Sequence, residues 1–354
     1  MKALLFNYSI LLSFLIVSAQ YCNLTRFSVT YIDVFQSKNI QSFTDCLYPA
    51  NFNYRKVRSI FIKNEVIPSI PVHFIENHEE LYEIVIQSSG IQNILPGAFR
   101  NLPNLQHLTI KGNDIPTILR GALNSIPNLD TMWLGHNGIT YIEEHAFHIP
   151  QLRWICICGN NLYQWNQEWL GKLYKLEELQ FENNHLSTVQ RRAFSNFPNL
   201  TDLGLLNNQI TNIEPEAFES LNKLIMLDLR NNKIAHLNAN SFPNPTRIEY
   251  LYIDLNHLNF IPQALLNKLY SKHLYIDFNP WTCACSDVIN QWALLNNVTL
   301  ERKYCTPKSI PLCTVFKPKC TEEIDTRGTQ KYLEIIKKIT ADQYRCIHEY
   351  MELD

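Results

Sequence analysis

The chain has 354 residues, a formal net charge of -2 and 18% charged residues. This near-neutral balance gives no bulk attraction to nucleic acid or to an anionic membrane, so partner choice must depend on local surface features. A chain of this length usually forms two domains, although a repeat architecture escapes that estimate because it grows by stacking. The ten cysteines indicate disulfides in an oxidising compartment, or metal and redox chemistry in a reducing one.

Residues 1–19 have the features of a secretory signal peptide. An apolar run from Ala3 to Val17 follows Met1 and Lys2, and small residues end at Ala19, the expected cleavage position. The alternative is a transmembrane helix, but the run is short and no charged stop-transfer flank follows it. We therefore predict a secreted, extracellular protein with no membrane insertion, in which the cysteines form disulfides.

Three Asn-x-Ser/Thr sequons agree with that compartment, although so short a pattern also arises by chance. They begin at Asn23, Asn199 and Asn297, which we predict as glycosylation sites. Asn244 is excluded because a proline follows it.

Residues 57–279 repeat a nine-residue pattern at a period near 24 residues. The pattern is Leu-x-x-Leu-x-Leu-x-x-Asn, and about ten copies follow one another. In one copy, Leu105, Leu108 and Ile110 lead to Asn113, whereas the first copy is degenerate. A pattern this long, with apolar residues and Asn in fixed places, is specific for a repeat architecture.

Each copy is expected to form one short parallel strand that pairs with the next copy, because one repeat cannot bury its apolar face alone. The asparagine amides should form a hydrogen-bonded ladder with a structural rather than a catalytic role. Bulky residues recur about ten positions further on and should stack as a spine on the convex side. They are Phe99, Phe147, Phe194, Phe218 and Phe242, with Leu123 and Leu265 as substitutes.

Such a solenoid leaves an apolar face at each end, and cysteines lie where caps are needed. Residues 20–56 are the predicted N-terminal cap, in which Cys22 and Cys46 could close a small hairpin. Residues 280–320 are the predicted C-terminal cap. Its cysteines are Cys283, Cys285, Cys305, Cys313 and Cys320. The alternative for these thiols is zinc, but no second dithiol or histidine pair stands at finger spacing, so no metal is expected.

Residues 57 to about 320 resemble the secreted and cell-surface leucine-rich-repeat proteins that have a cysteine-flanked C-terminal cap. The resemblance implies an α/β solenoid, a leucine-rich-repeat horseshoe with a parallel concave β-sheet, disulfide-stabilised caps and a short C-terminal helix. It also implies that Cys283 and Cys285 bond to two later cysteines, while Trp292 covers the last repeat. By residue counting alone, the six cysteines from Cys283 to Cys346 allow fifteen pairings.

Within that class the chain is most similar to the insect leucine-rich immune proteins. The shared features are a signal peptide, a reduced N-terminal cap, about ten repeats, a cysteine-rich cap and a helix. Those proteins are soluble, and several are disulfide-linked dimers that act in complement-like recognition. Their long coiled coil is absent here. The resemblance implies a role in innate immune recognition.

Residues 321–354 form a predicted helical tail. Between Lys331 and Met351, apolar side chains fall close to one helical face, over too few heptads for a stable coiled coil. They are Leu333, Ile336, Ile339 and Ile347. The helix either packs on its own cap or contacts another chain, and we hypothesise that Cys346 or Cys313 links two chains in a dimer or hetero-complex.

The residues between the inward ones on each strand should face the concave side and form the candidate partner-binding surface. Aromatic residues there are expected to act as binding anchors because they bring a large contact area at a small entropic cost. The candidates are Trp133, Trp154, Tyr250, Tyr252 and Tyr275, with Arg230 beside them. The alternative is that these rings stack on one another, or that a glycan or loop covers them.

Cys156 and Cys158 should project from one strand on the same side. Their Cα atoms would lie near the upper limit for a relaxed bridge, so a bond between them should be strained and reducible. Free thiols, such a local bond and an interchain link all remain open.

No nucleophile beside a base, paired carboxylates or recognised phosphate or metal motif stands in the sequence, so we predict no enzyme activity and no cofactor. The concave positions form no basic stripe, so nucleic acid is not an expected partner. We predict a binding protein that recognises an extracellular protein or glycan, in innate immunity. The alternative is an extracellular matrix or cell-adhesion and guidance ligand, which uses the same surface physics.

Overall fold

A computed structural model describes residues 24–53, 56–301, 313 and 319–342, with side chains up to residue 337. The chain forms two compact units, Met1–Leu162 with Asn166–Leu176, and Tyr163–Trp165 with Glu177–Asp354. The predicted signal peptide, Cys22, Asn23, Cys305 and Cys346 lie outside the described residues. None of the helices described is both long and apolar enough to cross a membrane.

Seven strands of the first unit form one sheet, in the order β2-β1-β3-β6-β9-β11-β13. Strand β1 pairs antiparallel with β2 and β3, and the later pairs are parallel. One 3-10 turn, Pro49–Phe52, lies before β3, and another, Gln167–Trp169, follows β13. The strands of this unit are β1 (Phe27–Asp33), β2 (Lys38–Phe43), β3 (Val57–Lys63), β4 (Ser69–Ile70), β5 (Ile75–Glu76), β6 (Glu83–Gln87), β7 (Asn93–Ile94), β8 (Phe99–Arg100), β9 (His107–Lys111), β10 (Thr117–Ile118), β11 (Thr131–Trp133), β12 (Tyr141–Ile142) and β13 (Trp154–Cys156).

Six strands of the second unit form a parallel sheet, in the order β14-β16-β18-β20-β22-β23. This unit also has a 3-10 turn, Ala239–Ser241. Its strands and helices are β14 (Glu178–Gln180), β15 (Thr188–Val189), β16 (Asp202–Gly204), β17 (Asn212–Ile213), β18 (Met226–Asp228), β19 (Thr246–Arg247), β20 (Tyr250–Tyr252), α1 (Gln263–Leu266), β21 (Leu269–Tyr270), β22 (His273–Tyr275), α2 (Cys283–Leu295), β23 (Thr299–Glu301) and α3 (Thr326–Asp342).

The repeat pattern sets the register of the parallel strands. Ile60 pairs with Ile84, and Ile84 pairs with Leu108, so equivalent positions of successive repeats lie side by side. These three side chains are at most 1% exposed. A slip by one residue would turn every apolar side chain to solvent, so the alternation specifies one register. The predicted fold class, a parallel solenoid with cap disulfides and a C-terminal helix, is confirmed.

The predicted asparagine ladder joins successive repeats. In the first unit, Asn137 Nδ2 donates to the carbonyls of Ile110 and Leu134 at 2.7 and 2.8 Å, and its Oδ1 accepts from the amide of Asn113 at 3.1 Å. The second unit repeats this arrangement at Asn208 and its equivalents. The amides therefore satisfy backbone groups in the turns that leave each strand.

The predicted bulky spine is buried, and all seven of its members are at most 4% exposed. In the second unit the rings of Phe194 and Phe218 stack with centroids 6.0 Å apart, and Phe242 follows at 5.3 Å. Trp165 extends this stack, with its centroid 5.6 Å from that of Phe194 and its Nε1 donating to the carbonyl of Ala193. These rings fill the side of the repeat opposite the main sheet.

The N-terminal end of the first unit is closed by the β1–β2 hairpin. Phe43 and Phe52 pack together with centroids 5.2 Å apart, and Tyr31 meets Phe52 edge to face. Cys46 is disulfide-bonded. Its pairing with Cys22 stays a prediction because Cys22 lies outside the described residues.

Two disulfides stabilise the C-terminal cap. Cys283 bonds to Cys313 and Cys285 bonds to Cys320, as the family resemblance implied. The hypothesis that Cys313 links two chains is therefore wrong, because its sulfur is used within the cap. Trp292 of α2 is buried, and its Nε1 donates to the carbonyl of Leu266 at 3.0 Å.

Helix α3 packs on the last repeats of its own chain, whereas the prediction placed it on the cap or against another chain. It begins at Thr326, five residues after the start of the predicted tail at residue 321. Its buried anchor is Tyr332, which lies against Phe278, with Leu255 and Ile336 beside them. The sequence pattern missed Tyr332 because an amphipathic pattern ranks aliphatic residues above a tyrosine.

The backbone at the helix contact has an uncommon conformation. Leu255 and Phe278 have φ values of 55° and 57°, in the left-handed region that bulky residues rarely adopt. The equivalent residues of the three preceding repeats are Asn183, Asn207 and Asn231, and asparagine tolerates this region well. The apolar replacements stand where Tyr332 packs, so burial against α3 offsets their backbone cost.

Candidate partner-binding surface

The sheet face of the first unit carries a pair of tryptophans. Trp133 on β11 and Trp154 on β13 are both half-buried, and their ring centroids lie 5.4 Å apart with a 38° tilt. Lys111 Nζ lies 5.5 Å from the centroid of the Trp133 ring. The indole N–H of Trp133 is buried and has no hydrogen-bond partner among the described residues. This pair is the tryptophan patch.

The absence of a side chain at Gly135 makes room for the indole of Trp133. A Cβ atom on Gly135 would lie 2.5 Å from Trp133 Nε1 and 3.2 Å from Cys158 Sγ. A larger residue at this position would therefore collide with the indole of Trp133. Sequence patterning marks Trp133 but not the glycine that orients it.

Cys156 and Cys158 are bonded to each other, so the predictions of free thiols and of an interchain link are both wrong. Their Cα atoms lie 5.2 Å apart, inside the ordinary range and below the expected upper limit, because β13 ends at Cys156 and the chain is no longer extended at Cys158. Cys156 is buried and Cys158 is half-buried. The amide of Cys158 donates to Cys156 Sγ at 3.3 Å.

A polar network lies on the same face and was not singled out from the sequence. His107 Nδ1 lies 2.6 Å from Thr131 Oγ1, and its Nε2 lies 2.9 Å from the hydroxyl of Tyr82. Arg58 stands over the Tyr82 ring at 4.8 Å. The alignment of the repeats could have indicated this network, because it makes His107 and Thr131 direct partners in adjacent strands.

The sheet face of the second unit carries two stacked aromatic pairs. Tyr250 stacks on His273 with centroids 4.8 Å apart and a 4° interplanar angle. Tyr252 stacks on Tyr275 at 4.1 Å and 18°. Arg230 lies over the outer side of Tyr252, with its Cζ 4.8 Å from the ring centroid. These five residues are the tyrosine patch, and the rings are half-buried rather than covered.

The alternative that the aromatic rings stack on one another is therefore right as a statement of geometry. In parallel strands, direct partners such as Tyr250 and His273 stand side by side on one face, so flat rings there meet face to face. The two tyrosine hydroxyls also interact, and burial together with the Tyr275 hydroxyl raises the pKa of Tyr252. The patch is ordered before any partner arrives.

Acidic side chains surround the tyrosine patch. Asp228 pairs with Arg230 and both are largely buried, while Glu301 Oε1 lies 2.9 Å from His273 Nδ1. Among the described face positions of β14 to β23, Arg230 is the sole lysine or arginine. The acidic residues of that face are Glu178, Glu182, Asp202, Asp228, Asp254, Asp277 and Glu301.

Glu182 has a strongly perturbed carboxyl group on this face. Its pKa is raised to about 7, chiefly by burial and also by the nearby charge of Asp228, while a backbone hydrogen bond and the charge of Arg230 oppose this shift. Gly204 makes room for it, because a Cβ on Gly204 would lie within 3 Å of side-chain atoms of both Gln180 and Glu182. Part of the face can therefore change its charge near neutral pH.

The two predicted glycosylation sites that are described lie in different environments. Asn297 is exposed, and Asn199 is half-buried, with its Oδ1 accepting from Lys223 Nζ at 2.7 Å. Glycosylation at both stays a prediction. Among the residues that the structure describes, no cluster of three or more His, Cys, Asp or Glu side chains could hold a metal ion.

Comparison with protein families identifies the repeats. Residues 79–139, 150–210 and 198–258 match the family model described as Leucine rich repeat. The chain therefore contains leucine-rich repeats, and this match indicates no enzymatic family. No curated protein matches the chain.

One solved structure supports the same fold, and a second shows a similarity alone. A chain of the octameric complex of Latrophilin 3 (Lec, Olf), Unc5D (Ig, Ig2, TSP1) and FLRT2 (LRR) is 20% identical, covers 73% of this chain and 87% of its own length, and has a TM-score of 0.53. Human 5T4 (Wnt-activated inhibitory factor 1, Trophoblast glycoprotein) is 18% identical over 77% of this chain and 92% of its own, with a TM-score of 0.49. The resemblance to insect leucine-rich immune proteins is not shown by these matches and stays a prediction.

Proposed function

We propose that the chain is a secreted, extracellular binding protein that holds a protein partner on its sheet faces and catalyses no reaction. The observation that carries this proposal is the tyrosine patch, a set of half-buried stacked rings on a strand face where short polar residues would suffice for the fold. The tryptophan patch supplies a second anchor of the same kind.

Stacking makes these rings effective anchors. A tyrosine fixed against its neighbour has already lost most of its rotamer freedom, so a partner that buries it meets a small further entropic cost. The rings are only half-buried, so part of each can still contact a partner, and a tyrosine also carries a hydroxyl that can form a hydrogen bond. Central aromatic anchors of this type carry most of the energy in many interfaces.

The charge around the tyrosine patch indicates the chemistry of the partner. Acidic residues outnumber basic ones on this face, and the pKa of Tyr275 is raised by burial and by the charges of Glu301 and Asp254. We therefore expect a partner surface rich in lysine or arginine, whose association weakens as salt screens the charges.

The test replaces Tyr252 and Tyr275 with alanine together. Purified wild-type and variant proteins are immobilised and exposed to extracellular fluid, and retained proteins are identified and then measured singly by interferometry at low and high salt. Tyr270→Ala is the matched control, because Tyr270 is 64% exposed but lies on β21, outside the main sheet. We expect a specific basic partner to lose at least about tenfold in affinity with the double variant and little with the control.

Equal retention by the double variant and the control would contradict the proposal for the tyrosine patch. A Trp133→Ala, Trp154→Ala variant tests the tryptophan patch in the same assay. A retained glycan in place of a protein would show that the partner class is wrong.

The finer role that we propose is innate immune recognition, which is carried by the family resemblance alone. The alternative is a matrix or cell-adhesion and guidance ligand. Induction of the transcript after infection would favour the immune role, and retention of the protein in tissue would favour the alternative.

A further inference from the structure

The Cys156–Cys158 disulfide is not explained by the needs of the fold. It joins residues with a sequence separation of 2, whereas the two cap disulfides span separations of 30 and 35. A bond that closes so short a loop removes little freedom from the unfolded chain. It also lies on the sheet face beside the tryptophan patch, where the repeats are already held by their strands and asparagine ladder.

The two cysteines differ in their exposure to solvent. Cys156 is 1% exposed, whereas Cys158 is half-buried and borders the space above Gly135. A thiolate that approaches from outside should therefore meet Cys158 rather than Cys156. This asymmetry determines which sulfur is attacked and which one leaves.

The surroundings stabilise Cys156 as the leaving group. The backbone N–H of Cys158 donates to Cys156 Sγ at 3.3 Å, so negative charge that develops on this sulfur is held by a hydrogen-bond donor. A better-stabilised leaving thiolate leaves faster in thiol-disulfide exchange. The donor is the backbone N–H of Cys158, two residues further along the same chain, so this hydrogen bond requires no movement of another element.

The tryptophan patch lies beside Cys158 and offers an apolar surface to a bound partner. Trp133 Nε1 and Cys158 Sγ border the same point, at 2.5 and 3.2 Å from the position of a Cβ on Gly135. Trp154 packs on Trp133 at 5.4 Å. A cysteine of a partner that is flanked by an apolar side chain would bury that side chain on the indoles while its sulfur meets Cys158.

We propose that Cys156–Cys158 is an exchangeable disulfide at which the thiol of an extracellular protein partner is captured, on Cys158, as a reversible mixed disulfide. The partner thiol first gives its proton to solvent. Its sulfur then bonds to Cys158 Sγ, the Sγ–Sγ bond breaks, and the electron pair goes to Cys156 as a thiolate. The reverse attack by Cys156 releases the partner, and the exchange produces no net oxidation.

The exchange is a property of the isolated chain, and its use in holding a partner rests on the proposed function. The first experiment treats the full-length secreted protein with reduced glutathione as the probe thiol, followed by acid quenching, alkylation and peptide mass spectrometry. We expect glutathione on Cys158, an alkylated Cys156 and intact Cys283–Cys313 and Cys285–Cys320 bonds. The cap disulfides serve as internal controls within the same molecule.

Two serine variants separate the roles of the sulfurs. Cys156→Ser leaves the accessible thiol without its resolving partner, so oxidised glutathione should form a lasting adduct on Cys158. Cys158→Ser leaves the buried thiol and should react at least about tenfold more slowly, because reactivity follows exposure. Far-ultraviolet circular dichroism establishes that each variant is folded before its rate is compared with that of the other.

Three results would overturn the proposal. They are an adduct mainly on Cys156, cap disulfides that exchange as fast as this bond, or no adduct on the wild-type protein. Loss of partner binding in the tyrosine variants together with no glutathione exchange would refute the covalent step alone and leave the binding function standing.

Discussion

Glu182 makes the stability of the second unit depend on pH near neutrality. Its side chain is half-buried on the sheet face, and its pKa is raised from 4.5 to about 7, chiefly by burial and in part by the charge of Asp228. In the unfolded chain the carboxyl returns to its ordinary pKa. The folded state therefore binds the Glu182 proton more tightly than the unfolded state does.

The sign of the effect follows from this difference. Below the unfolded value of 4.5 both states are protonated and the contribution of Glu182 to stability is fully present. As pH rises toward 7 the folded protein must ionise a buried carboxyl, so the free energy of unfolding falls. With about 1.4 kcal/mol for each pKa unit, and a discount for partial exposure, we expect a loss of about 1–2.5 kcal/mol between about pH 5 and about pH 8.

Glu182→Gln tests this reasoning, because glutamine has nearly the same shape as the protonated acid and cannot ionise. Urea unfolding is followed by circular dichroism at both pH values for the wild type, this variant and Glu177→Gln, which changes an exposed carboxyl. The Glu182→Gln variant should gain about 1–2.5 kcal/mol relative to the wild type at the higher pH and less at the lower one. An equal difference at the two pH values, or the same pH dependence in the Glu177 control, would refute the linkage.

Three further predictions concern the scaffold and can be measured by chemical unfolding and hydrogen exchange. Asn208→Ala should cost about 3–5 kcal/mol, because it removes the partner of several buried backbone groups, and an unchanged unfolding midpoint would contradict a structural ladder. Replacing Cys283 and Cys313 by alanine should cost about 3–4 kcal/mol, since the bond spans 30 residues, and a stability equal to that of the wild type would show that the cap does not need it. Tyr332→Ala should cost about 3 kcal/mol and speed amide exchange in α3, whereas unchanged protection would mean that this residue does not anchor the helix.

The spacing of apolar residues determined the fold without any three-dimensional information. Apolar residues such as Ile84 and Leu108 recur at a fixed interval along the chain. They can be buried together only when successive strands pair in parallel and in register. The asparagine positions and the bulky spine follow from the same periodicity. The likeness to secreted relatives also implied that Cys283 and Cys285 bond to later cysteines, and both bonds are present.

Other features depended on interatomic distances, which the spacing of residues along the sequence does not determine. The pairing of Cys156 with Cys158 required the chain to leave the extended conformation after β13, which brings their Cα atoms to 5.2 Å. The anchor of α3 was Tyr332 because the backbone at Phe278 places a buried ring opposite it. Neither the turn nor that contact has a signature in the order of apolar and polar residues.

The sequence by itself determined the repeat, the strand faces and the aromatic residues that these faces would carry, because a periodic pattern has one solution that buries its apolar residues. Only the tertiary structure decided how the side chains of the sheet faces contact one another and how their pKa values shift. Gly135 and Gly204 leave room for side chains at neighbouring positions. The ring centroids of Tyr252 and Tyr275 lie 4.1 Å apart, and the pKa of Glu182 is raised to about 7, chiefly by burial. Packing and desolvation depend on which atoms meet in space, and residue types at fixed spacing do not specify that.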